Sequence, residues 1–86
     1  METRIALIGI MVENTEAVEK LNKILHEYGS YIIGRMGLPL REKKMSIISI
    51  VMDAEADIIS SLSGKLGMLK GIRVKTLYSK TEGKNE

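Results

Sequence analysis

The stretch Arg4-Ile-Ala-Leu-Ile-Gly-Ile-Met-Val12 is short, continuously apolar and rich in β-branched residues. This composition is typical of a central strand that is covered on both faces. The stretch Met45-Ser-Ile-Ile-Ser-Ile-Val-Met52 repeats the pattern, with serine interruptions at positions 46 and 49. The two stretches predict two buried strands.

A helix is predicted after each of these strands. The first has apolar residues at helical spacing, which are Val18, Leu21, Ile24, Leu25 and Tyr28. We expect Asn14 or Thr15 to cap it and Gly29 to end it. The second is expected to begin with Asp53 as its cap and to end at Gly67. Its predicted buried residues are Ile58, Ile59, Leu62 and Leu66.

Two further strands complete the pattern. Residues 30–38 predict an edge strand, because two glycines weaken it and Pro39 closes it. The charged residues 41–44 predict a turn before the third strand. Gly71 is expected to open a last strand over residues 72–78. Gly64 falls inside the second helix, where we expect close packing against a neighbouring element.

The predicted order is strand, helix, strand, strand, helix, strand, which is the α+β, ferredoxin-like βαββαβ arrangement. Right-handed crossovers place the first and third strands centrally in a four-stranded antiparallel sheet, with both helices on one face. Residues 1–79 are expected to form a single domain, and the polar residues 80–86 a flexible tail.

The side of the sheet away from the helices has no predicted cover. If Ala6, Ile8 and Ile10 face the helices, six apolar residues face outward: Ile5, Leu7, Met11, Met45, Ile47 and Val51. The opposite assignment would also leave an apolar set outside, so a partner is expected either way. The sequence therefore predicts a homo-dimer or homo-tetramer that assembles through this side.

Composition excludes several function classes. The 86 residues contain no cysteine and one histidine, His26, so a cysteine nucleophile, a thiolate metal site and a multi-histidine site within one chain are excluded. One histidine and dispersed carboxylates assemble no paired nucleophile and base, so we predict that the chain is not an enzyme. No apolar run is long enough for a membrane helix, and a cytoplasmic protein is expected.

Direct nucleic-acid binding is not expected either. The formal net charge is only +2. The first and third strands carry no aromatic residue on which a base could stack.

Several motifs resemble the family described as iron-only hydrogenase system regulators. The most specific is Tyr31-Ile-Ile-Gly-Arg-Met-Gly-Leu-Pro39, because packing alone hardly requires two glycines, an arginine and a proline in one strand. The resemblance spans roughly residues 4–79. It also includes Ile8-Gly-Ile10, Ser61-Leu-Ser-Gly-Lys-Leu-Gly67 and Gly71-Ile-Arg-Val-Lys75. It implies a module similar to ACT amino-acid-sensing domains and to the metal-binding half of nickel-responsive repressors.

The resemblance to ACT domains implies a ligand site at the turn after the first strand. Glu13 and Asn14 lie there, although Asn14 can equally serve as a helix cap and Glu13 would repel a carboxylate. Gly34, Arg35 and Gly37 are candidates for a ligand or subunit contact, since missing side chains let another molecule approach. The alternatives are a bulged edge strand and a solvated arginine.

The resemblance to nickel-responsive repressors implies a metal site, but this sequence lacks the expected histidines and cysteine. A site built from His26 and Glu27 of two subunits is disfavoured, because imidazole ligands usually come in larger sets. The sequence assigns no cofactor.

Two hypotheses remain open. The first is an oligomeric regulatory module that senses a ligand or signal at a subunit boundary and acts through a separate regulatory or hydrogenase-maturation protein. The second is an assembly or interaction module that binds no ligand.

Overall fold

The computed structural model describes residues 2–80 as one antiparallel sheet and two helices. The principal elements are β1 (Arg4–Val12), α1 (Val18–Glu27), β2 (Ile32–Leu40), β3 (Met45–Ala54), α2 (Ala56–Gly67) and β4 (Ile72–Tyr78). Short 3-10 turns occupy residues 15–17, 29–31 and 41–43. Of the expected polar tail, residues 81–86 lie outside the described residues.

The strand order is β2-β3-β1-β4, with all neighbours antiparallel. β1 and β3 are therefore central, and β2 and β4 are the edges. The predicted α+β, ferredoxin-like βαββαβ fold is confirmed. Neither helix in residues 2–80 has both the length and the apolar character needed to cross a membrane.

The core lies between the helices and one side of the sheet. Every second residue of the central strands is buried there: Ala6, Ile8, Ile10 and Val12 of β1, and Ile48, Ile50, Met52 and Ala54 of β3. The helices add Leu21, Leu25, Ile59, Leu62 and Leu66. Each large aliphatic side chain buried in this way stabilises the fold by about 1.5–3 kcal/mol.

The second strand differs from its prediction at both ends. Gly29–Tyr31 form a 3-10 turn, so β2 begins at Ile32. It then continues through Pro39, which pairs with Ser46, to Leu40. An edge strand tolerates proline because only one of its sides must supply ladder hydrogen bonds.

Of the two predicted helix caps, the structure supports the one at Asn14 but not the one at Asp53. Asn14 caps the 3-10 turn that leads into α1, and its side chain accepts a hydrogen bond from the Glu16 amide at 3.0 Å. The prediction that Asp53 caps α2 is wrong. Asp53 pairs with Ile5 inside β3, because the buried Ala54 extends that strand to the position before Glu55.

The expectation for Gly64 is also wrong. A Cβ at this position of α2 would meet no atom within 4 Å, so no neighbouring element packs closely against it. Helical spacing places Gly64 inside α2, but it carries no information about whether another element faces that side of the helix.

Candidate functional site

The side of the sheet opposite the helices forms a broad surface, which we call the open face. Paired residues on neighbouring strands point to the same side, and successive residues alternate. The open face consists of Gly34, Met36, Leu38 and Leu40 of β2, Met45, Ile47, Ser49, Val51 and Asp53 of β3, Ile5, Leu7, Gly9 and Met11 of β1, and Arg73, Lys75 and Leu77 of β4.

The open face keeps large apolar side chains in solvent. The six residues predicted to face outward lie there, and Leu7 is 44% exposed. The prediction did not include four further apolar residues, Met36, Leu38, Leu40 and Leu77. Met36 is 65% exposed and Leu77 is 68% exposed. An apolar patch of this extent is characteristic of a surface that another molecule covers.

The open face carries two cations at its β4 edge and one carboxylate, Asp53, which pairs with Ile5 near the end of β3. Arg73 and Lys75 lie on β4, and Arg73 forms an exposed ion pair with Glu13 at 4.0 Å. Gly9, Met11, Ile47 and these two cations line a shallow depression of about 370 Å³. The centre of the face around Leu7, Ile47 and Val51 is therefore neutral, and the depression beside it is bordered by positive charge on the β4 side.

The turn after β1 is built by backbone contacts. The Glu13 amide donates to the Gly71 carbonyl at 2.8 Å, which ties the turn to the start of β4. Asn14 lines a separate depression beside Lys20 and Met68. Glu13 and Asn14 thus lie near the β4 edge.

The candidate residues of β2 divide between the two sides of the sheet. Gly34 follows an irregularity in the pairing with β3, so the bulged edge strand considered for this stretch is present. Arg35 and Gly37 pair with the buried Ile50 and Ile48 and therefore lie on the helix side.

Arg35 contacts helix α1. One of its guanidinium nitrogens donates to the Asn22 Oδ1 at 2.7 Å. Both residues line a groove of about 290 Å³ together with Val12, Gly37 and Ser46. This groove, which we call the β2 groove, combines an apolar floor with a cation held in place by an amide.

Glu13 and Asn14 do not line the β2 groove. The five candidate ligand residues therefore occupy three places within one chain: the turn beside β4, the open face and the β2 groove. Sequence spacing offered no signal for Asn22, whose role depends on how α1 packs beside β2.

His26 is exposed and lines a small depression beside Asn22 and Arg35. Within residues 2–80, no three histidine, aspartate or glutamate side chains are grouped closely enough to hold a metal ion. Nothing in this part of the chain therefore adds a protein ligand to His26 and Glu27.

A polar cluster joins the two helices on the outer surface. The Tyr28 and Ser61 hydroxyls are 2.9 Å apart, and the Lys65 Nζ lies 3.8 Å from the Glu27 carboxylate. The neighbouring Tyr28 hydroxyl, and then Glu27, raise the pKa of Lys65 above its ordinary value. Because Lys65 is exposed, this cluster contributes little to the free energy of unfolding.

The chain is similar to a solved structure over nearly its whole length. This is the structure of the uncharacterized protein TM1266 from Thermotoga maritima, with 40% identity, a TM-score of 0.88, and coverage of 92% of this chain and 100% of that chain. No curated protein matches the chain significantly. A family model described as "TM1266-like: Iron-only hydrogenase system regulator, putative" matches residues 4–76. The chain therefore belongs to this TM1266-like family of iron-only hydrogenase system regulators.

Proposed function

We propose that the chain is a homo-oligomeric regulatory module of an iron-only hydrogenase system and that two copies join through the open face. The observation that carries the proposal is the exposed apolar surface centred on Leu7, Met11 and Ile47. The family description supports the regulatory part. Covering the apolar residues removes them from water, which is the main favourable term in protein association.

The size of the open face is adequate for a dimer. Four strands with ordinary spacing and about seven residues in length cover on the order of 450 Å² in projection. Corrugation by side chains raises the accessible area toward the roughly 800 Å² per partner that stable interfaces bury. The neutral centre also avoids like-charge repulsion between two copies.

The regulatory role is tested in a host that carries this chain together with an iron-only hydrogenase. Deleting the gene is expected to change either the hydrogenase transcript level or the hydrogenase activity per molecule of enzyme. The first result indicates action through transcription, and the second indicates action through a maturation protein. Restoring the wild-type gene is the control. If neither quantity changes, the regulatory proposal is wrong.

Ligand sensing is the finer part of the proposal, and the β2 groove is its candidate site. Arg35 offers a guanidinium already oriented by Asn22, and Gly37 leaves its side of the groove open. An anionic group at Arg35, with a small apolar body over Val12, matches this lining. Binding to the folded protein alone would raise its melting temperature.

A thermal-shift screen over amino acids, nucleotides and divalent metals tests this part. A ligand at one hundred times its dissociation constant stabilises the fold by about 2.7 kcal/mol. Arg35→Ala is expected to remove that stabilisation and to change the unliganded melting temperature little, because Arg35 is exposed. Arg41→Ala, another exposed arginine, is the matched control. Hits that persist undiminished in the Arg35 variant would contradict the assignment.

The alternative is an assembly module without a ligand. The separation of Glu13 and Asn14 from the β2 groove favours it, because within one chain these residues do not converge on one site. A screen without any hit, combined with a stable oligomer, would support this alternative over sensing.

A further inference from the structure

Two neighbouring rows of residues cross the middle of the open face. Across β2, β3, β1 and β4, the first row contains Met36, Ser49, Gly9 and Lys75, and the second contains Gly34, Val51, Leu7 and Leu77. We call them the inner rows. They hold both glycines of the open face.

No contact or backbone conformation in residues 2–80 requires a glycine at position 9. Its backbone lies outside the left-handed region that requires glycine, since only Gly71 among the described glycines has a positive φ. A Cβ at position 9 would meet no atom within 4 Å. Glycine weakens a central strand and often marks a place where another molecule approaches the backbone closely. A second molecule that approaches the β1 backbone closely would account for Gly9.

The inner rows have complementary shapes. On β1, Gly9 of the first row stands beside Leu7 of the second, and on β3 the small Ser49 stands beside Val51. On β2 the large residue, Met36, is in the first row and the small one, Gly34, is in the second. If the first row of one copy lay over the second row of another copy, a large side chain would face a small one on each of these strands.

A two-fold axis that runs between the two inner rows places the first row of each copy over the second row of the other. We propose that two copies pack open face to open face about an axis that runs across the strands at the level of Ile8, so that Leu7 of each copy enters the hollow over Gly9 of the other. This inference rests on the proposed function and specifies the register of its interface. β1 and β3 lie at the centre of this interface, where the usual angle between packed sheets displaces contacts least.

The other two-fold arrangement with aligned strands fits less well. An axis parallel to the strands would keep each row opposite itself and would lay β1 of one copy over β3 of the other. Gly9 would then face Ser49 and leave a void, while Leu7 would face Val51 and crowd it.

The crossing axis also accommodates the cation of the inner rows. It sets Lys75 over Leu77 of the other copy. The aliphatic stem of Lys75 can then cover Leu77 while its ammonium group reaches the rim.

The test uses two variants that each weaken association alone and are expected to associate well when they are mixed. Gly9→Leu fills the hollow and is expected to raise the dissociation constant about 100-fold, because two overpacked contacts form per dimer. Leu7→Ala leaves two voids and is expected to raise it about tenfold. An equimolar mixture is expected to form the mixed dimer preferentially, since the side chain added at position 9 of one chain then fills the space vacated at position 7 of the other.

Native mass spectrometry distinguishes the mixed dimer by mass, and sedimentation equilibrium measures each dissociation constant. Gly64→Leu adds the same side chain on the exposed surface of α2 and is expected to leave association unchanged. Circular dichroism checks that each variant is folded. Gly9→Ala provides a milder version and is expected to weaken association less than Gly9→Leu.

The outcomes separate the register from the proposed function. A wild-type dimer that Gly9→Leu leaves intact, or a mixture without preference for the mixed dimer, would overturn the register and leave assembly through the open face standing. A wild-type chain that does not associate would overturn the proposed function itself.

Discussion

Ile47→Asp is expected to raise the dissociation constant of the oligomer at least about 100-fold, because a buried and unpaired carboxylate costs several kcal/mol. Ile47 lies near the centre of the open face, between Leu38 of β2 and Met11 of β1. In the single chain its side chain is only half-buried, so the monomer is expected to stay folded. Light scattering over a dilution series measures the effect.

Met68→Asp is the matched control for this substitution. Met68 is 86% exposed and follows α2, away from the open face. The same carboxylate is therefore expected to leave the molar mass unchanged there. Equal molar masses for wild type and a folded Ile47→Asp variant at every concentration would show that the open face is not the interface.

Gly71→Ala is expected to reduce the free energy of unfolding by about 3 kcal/mol. Gly71 has a φ of +80°, a conformation that side chains other than glycine rarely adopt. Its added Cβ would also overlap the Asn14 Cβ. Asn14 has little freedom to move away, because it caps the turn before α1 and the adjacent Glu13 amide is bonded to the Gly71 carbonyl.

Urea unfolding measures this loss, with Gly67→Ala as the control. Gly67 ends α2 without a positive φ, and a Cβ there would meet no atom within 4 Å. The control is therefore expected to keep or slightly raise the free energy of unfolding. An unfolding midpoint for Gly71→Ala equal to that of the wild type would contradict the described turn.

The arrangement of elements could be predicted because the apolar pattern is strong. The continuous run 4–12 and the helical spacing of Val18, Leu21 and Leu25 depend on burial, which dominates the folding energy. The ends of β2 and β3 were harder to predict. Whether Pro39 stops β2 depends on which side of that strand is paired. Asp53 does not cap α2, because the buried Ala54 extends β3 beyond it.

The open face was predictable in part. Alternation along β1 and β3 identified Leu7 and Ile47, but Met36 required the register of β2 beyond its irregularity near residue 33. The contact between Arg35 and Asn22 joins two elements whose spacing in sequence carries no signal for side-chain geometry. The hollow over Gly9 depends on which residues of the neighbouring strands lie beside it, and the sequence pattern alone does not give that register.

The molar mass of the unmodified chain shows directly whether copies assemble through the open face. Size-exclusion chromatography with light scattering at micromolar concentration is expected to give two or four times the 9.6 kDa of a single chain. A species of 9.6 kDa that persists as the concentration is raised would contradict assembly through the open face.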